Sequence, residues 1–369
     1  MNNKTAIAAM TAALSFGSFA SAGDSLGDRF HYFGIMGNRY DHTEVSGTTD
    51  NSFVGILNLG FKINDYMTFE TTSEYHKMYH HQDATTTPDG SANTVNTPIG
   101  TYQTPNDQSS WNHIFEQAYV DAKFATGKTE IKAGQFSYFP GYGLSHGDYM
   151  FIDGVQVGFN LHDRVRTIFT GGQNTQYNPG MIYESMGYFA GEAIVNVLPK
   201  SNTNVRISYQ KNQSNRGLAP ALAYATGKLY DKTYIGYWEN GIDTRLPYDL
   251  AFEAAYVKSD YDKDSKGIYA QLKYKGAIPF VPNTFDVFAA YHKLEANSIQ
   301  YNDLRYYSNM KGIRLGAHYT PMDSVLITAW YDIQEYINAG TSQPGGTNYA
   351  VAAGKKDNFV RLQVDLFFK

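Results

Sequence analysis

The sequence predicts an all-β fold, a transmembrane antiparallel β-barrel of about sixteen strands, and three observations carry that prediction. Apolar and polar residues alternate with a period of two in nearly every segment, and the connections between segments alternate between short and long. Aromatics make up 15% of the 369 residues, with 31 Tyr and 22 Phe against 3 Trp. Tyrosine suits a surface that is apolar at one end and wet at the other.

Composition excludes the competing classes. After the first 22 residues no apolar run approaches the roughly 18 residues that a membrane helix needs. The chain has no cysteine, so an exported disulfide scaffold is excluded. Its net charge of −5, with no basic stripe interleaved with aromatics, excludes a nucleic-acid partner.

Taken in order, the chain opens on a basic region ending at Lys4, a small-residue apolar stretch from Thr5 to Phe19, and Ala20-Ser21-Ala22. This reads as a cleavable signal peptide over 1–22, with the mature chain starting near Gly23. Strands are expected with centres near residues 34, 57, 72, 119, 132, 157, 168, 192, 207, 236, 253, 270, 288, 315, 329 and 363. The alternation is clearest in the second half. Val205, Ile207 and Tyr209 face away from Arg206, Ser208 and Gln210, and Ile268, Ala270, Leu272 and Tyr274 away from Tyr269, Gln271 and Lys273. Phe285, Val287, Ala289 and Tyr291 share a face, as do Ile313, Leu315, Ala317 and Tyr319 opposite Arg314 and His318. In the last strand Val360, Leu362, Val364, Leu366 and Phe368 oppose Arg361, Gln363 and Asp365. A soluble sandwich core would not bury such charges without pairing them.

Loop lengths decide the medium. The connections at 63–66, 126–129, 161–164, 198–202 and 320–323 are short. Those at 80–111, 137–153, 171–186, 211–230, 293–310 and 336–356 are long and rich in Gly, Asn, Ser, Thr, Asp and Pro. Short periplasmic turns and long extracellular loops mark an outer-membrane barrel, and an even strand count puts both termini on the short-turn side. No linker, charge block or repeat marks a second domain, so residues 23–369 form one barrel.

At residues 115–143, the strand core Ala118-Tyr119-Val120, the turn Thr126 to Thr129 and the pair Gly134-Gln135 stand immediately before a long loop. This stretch resembles the general diffusion porins of Gram-negative outer membranes. The resemblance implies that the loop at 137–153, which follows the fifth strand, folds into the barrel and constricts it; the loop at 80–111 is the other candidate. It further implies a water-filled channel for passive diffusion of ions and small hydrophilic solutes in the outer membrane. The expected assembly is a homotrimer in contact with lipid and lipopolysaccharide, with no cofactor. Two departures stand out: the chain ends Phe367-Phe368-Lys369 rather than on an aromatic, and Arg39 stands nearly alone where the family carries an arginine cluster.

Several residues invite chemistry. Gly143-Leu144-Ser145-His146-Gly147 fits the G-x-S-x-G turn of serine hydrolases, with Asp148 beside it. That motif needs a strand-to-helix turn, and the residues that follow show no helical period; triad members are also normally distant in sequence. Ser145 is therefore read as part of a glycine-rich bent loop, and the chain as no enzyme. No His-before-Ser spacing of an outer-membrane phospholipase stands out. His76, His80, His81 and Asp83 carry metal-ligand chemistry, but lie where a strand leaves the membrane; they are read as surface residues, and no metal site is assigned.

The constellation that remains is the lumen. Alternation points Arg166, Arg206, Arg314 and Arg361 inward, together with Glu70, Glu192, Asp286 and Asp365. Asp148 and Asp153, carried by the loop at 137–153, are expected to hang across the pore from part of the arginine set. Opposed charges would orient dipolar solutes and tune ion preference; the plainer role for the arginines is to pair with strand carboxylates and hold the wall. Two other functions stay open. A sugar- or organic-anion-selective channel would present an aromatic row, for which Tyr138, Phe139, Tyr142, Tyr149 and Phe151 are available. A structural or adhesive barrel would have a plugged lumen.

Overall fold

A strand with one apolar and one charged face satisfies both only at a boundary between hydrocarbon and water, because successive side chains point to opposite sides. Sixteen such strands close on themselves here. The computed structural model describes residues 29–44, 49–82, 93–97, 100–104, 111–124, 127–145, 150–176, 185–213, 234–299, 308–342 and 349–369. Residues 1–22, expected as a signal peptide, lie outside them.

The first barrel strands are β1 (Phe30–Thr43), β2 (Thr49–Asn64) and β3 (Met67–Gln82), followed on the long-loop side by a hairpin of β4 (Asn93–Thr97) and β5 (Gly100–Thr104). The wall continues through β6 (Trp111–Phe124), β7 (Thr129–Ser137), β8 (Met150–His162), β9 (Val165–Gln176), β10 (Ser185–Leu198) and β11 (Thr203–Gln213). Next come β12 (Tyr234–Leu246), β13 (Leu250–Ser259), β14 (Lys266–Lys275), β15 (Thr284–Leu294), β16 (Met310–Thr320) and β17 (Val325–Tyr336). A second small hairpin, β18 (Gly340–Ser342) with β19 (Tyr349–Val351), precedes the closing strand β20 (Phe359–Phe368). Every barrel strand pairs antiparallel with its neighbours, and β1 pairs with β20 from Gly34↔Phe368 to Thr43↔Phe359. All sixteen expected strand centres fall inside these strands.

The wall inverts the usual distribution of polarity. Leu57, Val155, Phe169, Ile207 and Leu315 point outward and are 37–48% exposed, whereas the inward Glu70, Glu192, Glu239, Asp286, Asp332 and Arg361 are at most 4% exposed. Closure leaves no unpaired edge, so each backbone donor at membrane depth is satisfied by the next strand.

The chain end is built into the seam. Phe368 seats its ring on Gly34, where an added Cβ would collide with it. Phe367 points to the other face, 6.1 Å from the Phe33 ring and 6.0 Å from Phe280, and the Lys369 ammonium lies 4.5 Å from the Phe280 ring. The terminal aromatic pair thus serves both faces, with Lys369 beyond it.

Two expectations are corrected. The connection after β7 is shorter than 137–153, because β8 begins at Met150 and its ladder already includes Gln135↔Asp153. The long loops at 80–111 and 336–356 each carry a hairpin of their own.

Three glycines meet side by side where the loop departs: Gly134, Gly154 and Gly172 are register partners across β7, β8 and β9. Gly134 has φ 126°, and a Cβ on Gly154 would run into the backbone of Gly171 and Gly172. Gly154→Ala is expected to destabilise this part of the wall by about 1–3 kcal/mol, the usual cost of overpacking. The check is a lower urea midpoint and a smaller fraction of heat-modifiable folded barrel on unboiled gels.

Candidate functional site

The chain leaves β7 on the inner side of the wall. Phe136, Tyr138 and Ile152 pack with Tyr119, Tyr188 and Ala190 in a lumenal cluster, which directs the following residues along the inner surface. Two buried glutamates then hold them. Glu192 of β10 accepts hydrogen bonds from the Tyr138 hydroxyl and the Gly141 N–H, each at 3.0 Å. Glu239 of β12 accepts from the N–H groups of Tyr142 (2.6 Å), Leu144 (3.2 Å) and Ser145 (3.0 Å), and from the Ser145 hydroxyl at 2.9 Å.

This grip explains the local sequence. Gly141 has φ 65°, and a Cβ there would stand 2.9 Å from the Glu239 carboxyl carbon, so only glycine lets the backbone approach the wall so closely. The Tyr142 hydroxyl donates to Asp243, and Gln210 donates through its amide to the Ser145 carbonyl. Burial, with the Glu192 carboxylate next in importance, holds the Tyr138 phenol well above its usual range, so it remains a donor. Farther round, Tyr142 and Leu144 join Ala255, Val257, Tyr269, Ala290, Leu294 and Ile299 in an apolar cluster on the inner face of β13 to β15. Residues 138–145 therefore lie along one wall.

Half a turn round the ring, eight strands from β10, stands β20. Its Arg361 forms a two-pronged pair with Asp41 of β1 at 2.6 and 2.7 Å, and Arg39 reaches the same carboxylate at 3.1 Å. Arg314 of β16 pairs in the same way with Asp332 of β17 at 2.6 and 2.7 Å. The Trp330 ring lies between the two guanidiniums, 4.7 Å from each. Lower on this wall, Asp286 meets His318 at 2.6 Å, and Gln363 donates to both oxygens of Asp365. Two-pronged arginine pairs fix geometry as well as charge.

No protein-family model and no curated protein matches the sequence. Solved structures do match. Pseudomonas putida OprB at high pH aligns over 92% of this chain and 94% of its own with a TM-score of 0.59 at 11% identity. OmpF of Salmonella typhi, in complex with daunomycin, aligns over 93% and 98% with 0.55 at 11%. The anion-selective porin of Comamonas acidovorans aligns over 92% and 99% with 0.52 at 10%. The chain has the fold of the Gram-negative outer-membrane porins.

Within this barrel the sequence-predicted residues separate. Arg314 and Arg361 come together, and barrel closure adds Arg39, so the arginine cluster missing from the early strands is assembled from β1, β16 and β20. Each of these guanidiniums is paired; they brace the wall rather than standing as free cations. Arg206 points inward but lies beneath the loop, with its guanidinium 3.4 Å from the Gly141 carbonyl, 3.5 Å from Asp243 and 5.3 Å from the Tyr142 ring. Arg166 is the second residue of β9, near the short turn, and pairs with Glu130 at 2.6 Å and Asn160 at 3.2 Å. None of these contacts connects it to the loop.

Asp153 is a correction: it is exposed in β8 on the side of Val155, because the strand starts three residues before it and alternation turns it outward. Asp148, with His146 and Tyr149, lies outside the described residues. So do Asp83 and the side chains of His76, His80 and His81. Among the described residues no three His, Asp or Glu side chains are placed to hold a metal ion.

The aromatic row is also altered. Tyr138, Tyr142 and Phe151 are buried at 4–8% exposure, packed rather than displayed along a pore. Sequence reading missed Glu239 and Trp330. The alternation of Tyr237, Glu239, Gly241 and Asp243 against Trp238 marks Glu239 as inward, but nothing local says that a loop 94 residues earlier in the chain supplies its donors.

Glu239→Gln keeps the shape but replaces one acceptor oxygen with a donor facing backbone N–H groups. Hydrogen bonds to a charged group contribute about 1.5–3 kcal/mol each. Residues 138–145 are expected to release from the wall, with proteolytic cleavage there faster by about tenfold or more, corresponding to about 1.4 kcal/mol. Cleavage at the wild-type rate would show that Glu239 does not hold the loop.

Proposed function

We propose that this chain forms a water-filled outer-membrane channel through which ions and small hydrophilic solutes diffuse passively. One observation carries the reading: a closed sixteen-stranded barrel has a lumen lined by charge pairs, with the chain after β7 drawn onto one wall. A polar interior inside an apolar exterior is what a porin requires. Asp148, the one carboxylate in 137–149, together with the pairs of Arg39 and Arg361 with Asp41 and of Arg314 with Asp332 on the opposite wall, sets the field across the opening. The protein works as a homotrimer in contact with outer-membrane lipid and lipopolysaccharide, and is exported by its N-terminal segment. Burial of Tyr138, Tyr142 and Phe151 favours this reading over a channel built on an aromatic row.

Purified protein in planar bilayers of neutral lipid is expected to insert in events that close in three equal steps, with conductance proportional to bulk salt. A bilayer that stays silent at high protein concentration would sink the channel reading, and single-step closure would sink the trimer.

Catalysis at Ser145 has a separate check. Its side chain is 1% exposed and its hydroxyl donates to Glu239, so it is occupied as an anchor. Ser145→Ala should lower loop retention by less than Glu239→Gln does, since one of four donors is lost. Hydrolysis of a short-chain nitrophenyl ester should equal that of the wild type; a drop would restore the serine as a nucleophile.

A further inference from the structure

The β14–β15 connection, residues 276–283, is the longest on the short-turn side: eight residues, where the others span two to four. Two residues suffice to join antiparallel strands, so the extra length has another use. Its course is inward. The Ala277 N–H donates to Asp286 at 3.0 Å and the Ile278 N–H to the Thr284 hydroxyl at 2.8 Å. Both acceptors lie on the lumenal face of β15, since the alternating Phe285 and Val287 are exposed outward. Thr284 in turn donates to the Val281 carbonyl at 2.8 Å. Asp286 is fully buried, and its other oxygen meets His318 of β16 at 2.6 Å.

The segment then crosses the rim. The Pro279 carbonyl accepts the Ser324 N–H at 2.8 Å, the Ser324 carbonyl accepts the Phe367 N–H at 2.8 Å, and the Phe280 ring lies 6.0 Å from the inward-facing Phe367 ring. From β14 to β20 is four strand steps, about 20 Å along the wall. Lys275, where the chain leaves β14, has φ 63°, and Asn283, where it returns, φ 62°. Asparagine tolerates that conformation; for a lysine it is strained, and it persists because the contacts beyond it fix the bend. Pro279 and Pro282 stiffen the crossing.

Sixteen strands about 4.8 Å apart and tilted about 40° give a backbone ring about 30 Å across, and a layer packed on its inner face stands about 10 Å from it. The segment therefore takes about a third of the diameter on this side of the mouth. It also lies at a different depth from residues 138–145: Ala290, which packs with Tyr142 and Leu144, is four residues farther along β15 than Asp286, about 13 Å. We propose that residues 276–283 form a lip that narrows the short-turn mouth, a second restriction in series with the loop after β7. Its half-exposed apolar edge, Ile278 to Val281, limits the size of the solutes that leave the channel. The proposal rests on the channel reading and adds a specificity-determining element to it.

The test uses the full-length folded barrel in planar bilayers and in proteoliposomes of neutral lipid. Replacing residues 278–281 by Gly-Asn removes the edge and leaves both strand ends in place. That variant is expected to conduct at least about 1.2-fold more than wild type, from the width the lip takes out of the ring, and to admit a trisaccharide faster relative to a monosaccharide in liposome swelling. Because the chain has no cysteine, Val281→Cys supplies a single thiol, and this arm stands even where the shortened variant fails to fold. Modification with a sulfonatoethyl thiosulfonate should lower its conductance by about a tenth or more in about 1 M salt, where screening confines the added charge to about 3 Å. The same modification of Tyr248→Cys, at the 88% exposed β12–β13 turn, should change nothing. A folded shortened variant with wild-type conductance and size preference would overturn the lip, as would a modification at Val281→Cys without effect on conductance. A wild type that does not conduct at all would count against the channel reading instead.

Discussion

Inside a hydrocarbon layer an unpaired backbone N–H or C=O costs several kcal/mol, and a sheet has a row of such groups along each edge. Pairing β1 with β20 removes both rows at once, and the rest of the molecule depends on that seam. It sets Gly34 against the ring of Phe368, which gives the chain end a place in the wall. It also carries Asp41 to Arg361, 320 positions away, and through Trp330 to Arg314. The arginine group of this barrel is a product of closure.

The same dielectric argument governs the lumenal side. Glu192 and Glu239 are buried, and a buried carboxylate needs donors. The wall gives them few, because its backbone is already spent on the ladder. The chain after β7 supplies four N–H groups and two hydroxyls, and so is pinned where those carboxylates stand. Ser145, which sits in a hydrolase-like motif, is one of these donors. Local sequence resemblance to an active-site turn here reflects the same need for glycine and a small hydroxyl in a tight bend.

Much of the barrel was legible without coordinates. Period-two alternation located all sixteen strands, since a one-residue slip would put Arg314 or Arg361 into lipid and no competing register survives that. Inward orientation of Arg166, Arg206, Arg314 and Arg361 followed from the same rule. Grouping among them did not. Arg206 and Arg314 read alike in their strands, yet one lies under the loop beside Gly141 and the other is locked to Asp332 on the far wall. Asp153 failed for a different reason: where a strand rises past its turn residues, alternation gives no sign of where the ladder stops, and β8 begins at Met150.

By itself, the sequence determined the medium, the strand number and the face of residues well inside each strand, because those depend on neighbours two positions away and on loop length; at a strand's end, as at Asp153, it did not. Only the tertiary structure decided which charges meet. Ion pairs such as Arg361 with Asp41, and the grip of Glu239 on residues 142–145, join segments far apart in sequence, and their partners are fixed by the order and stagger of strands around a closed ring.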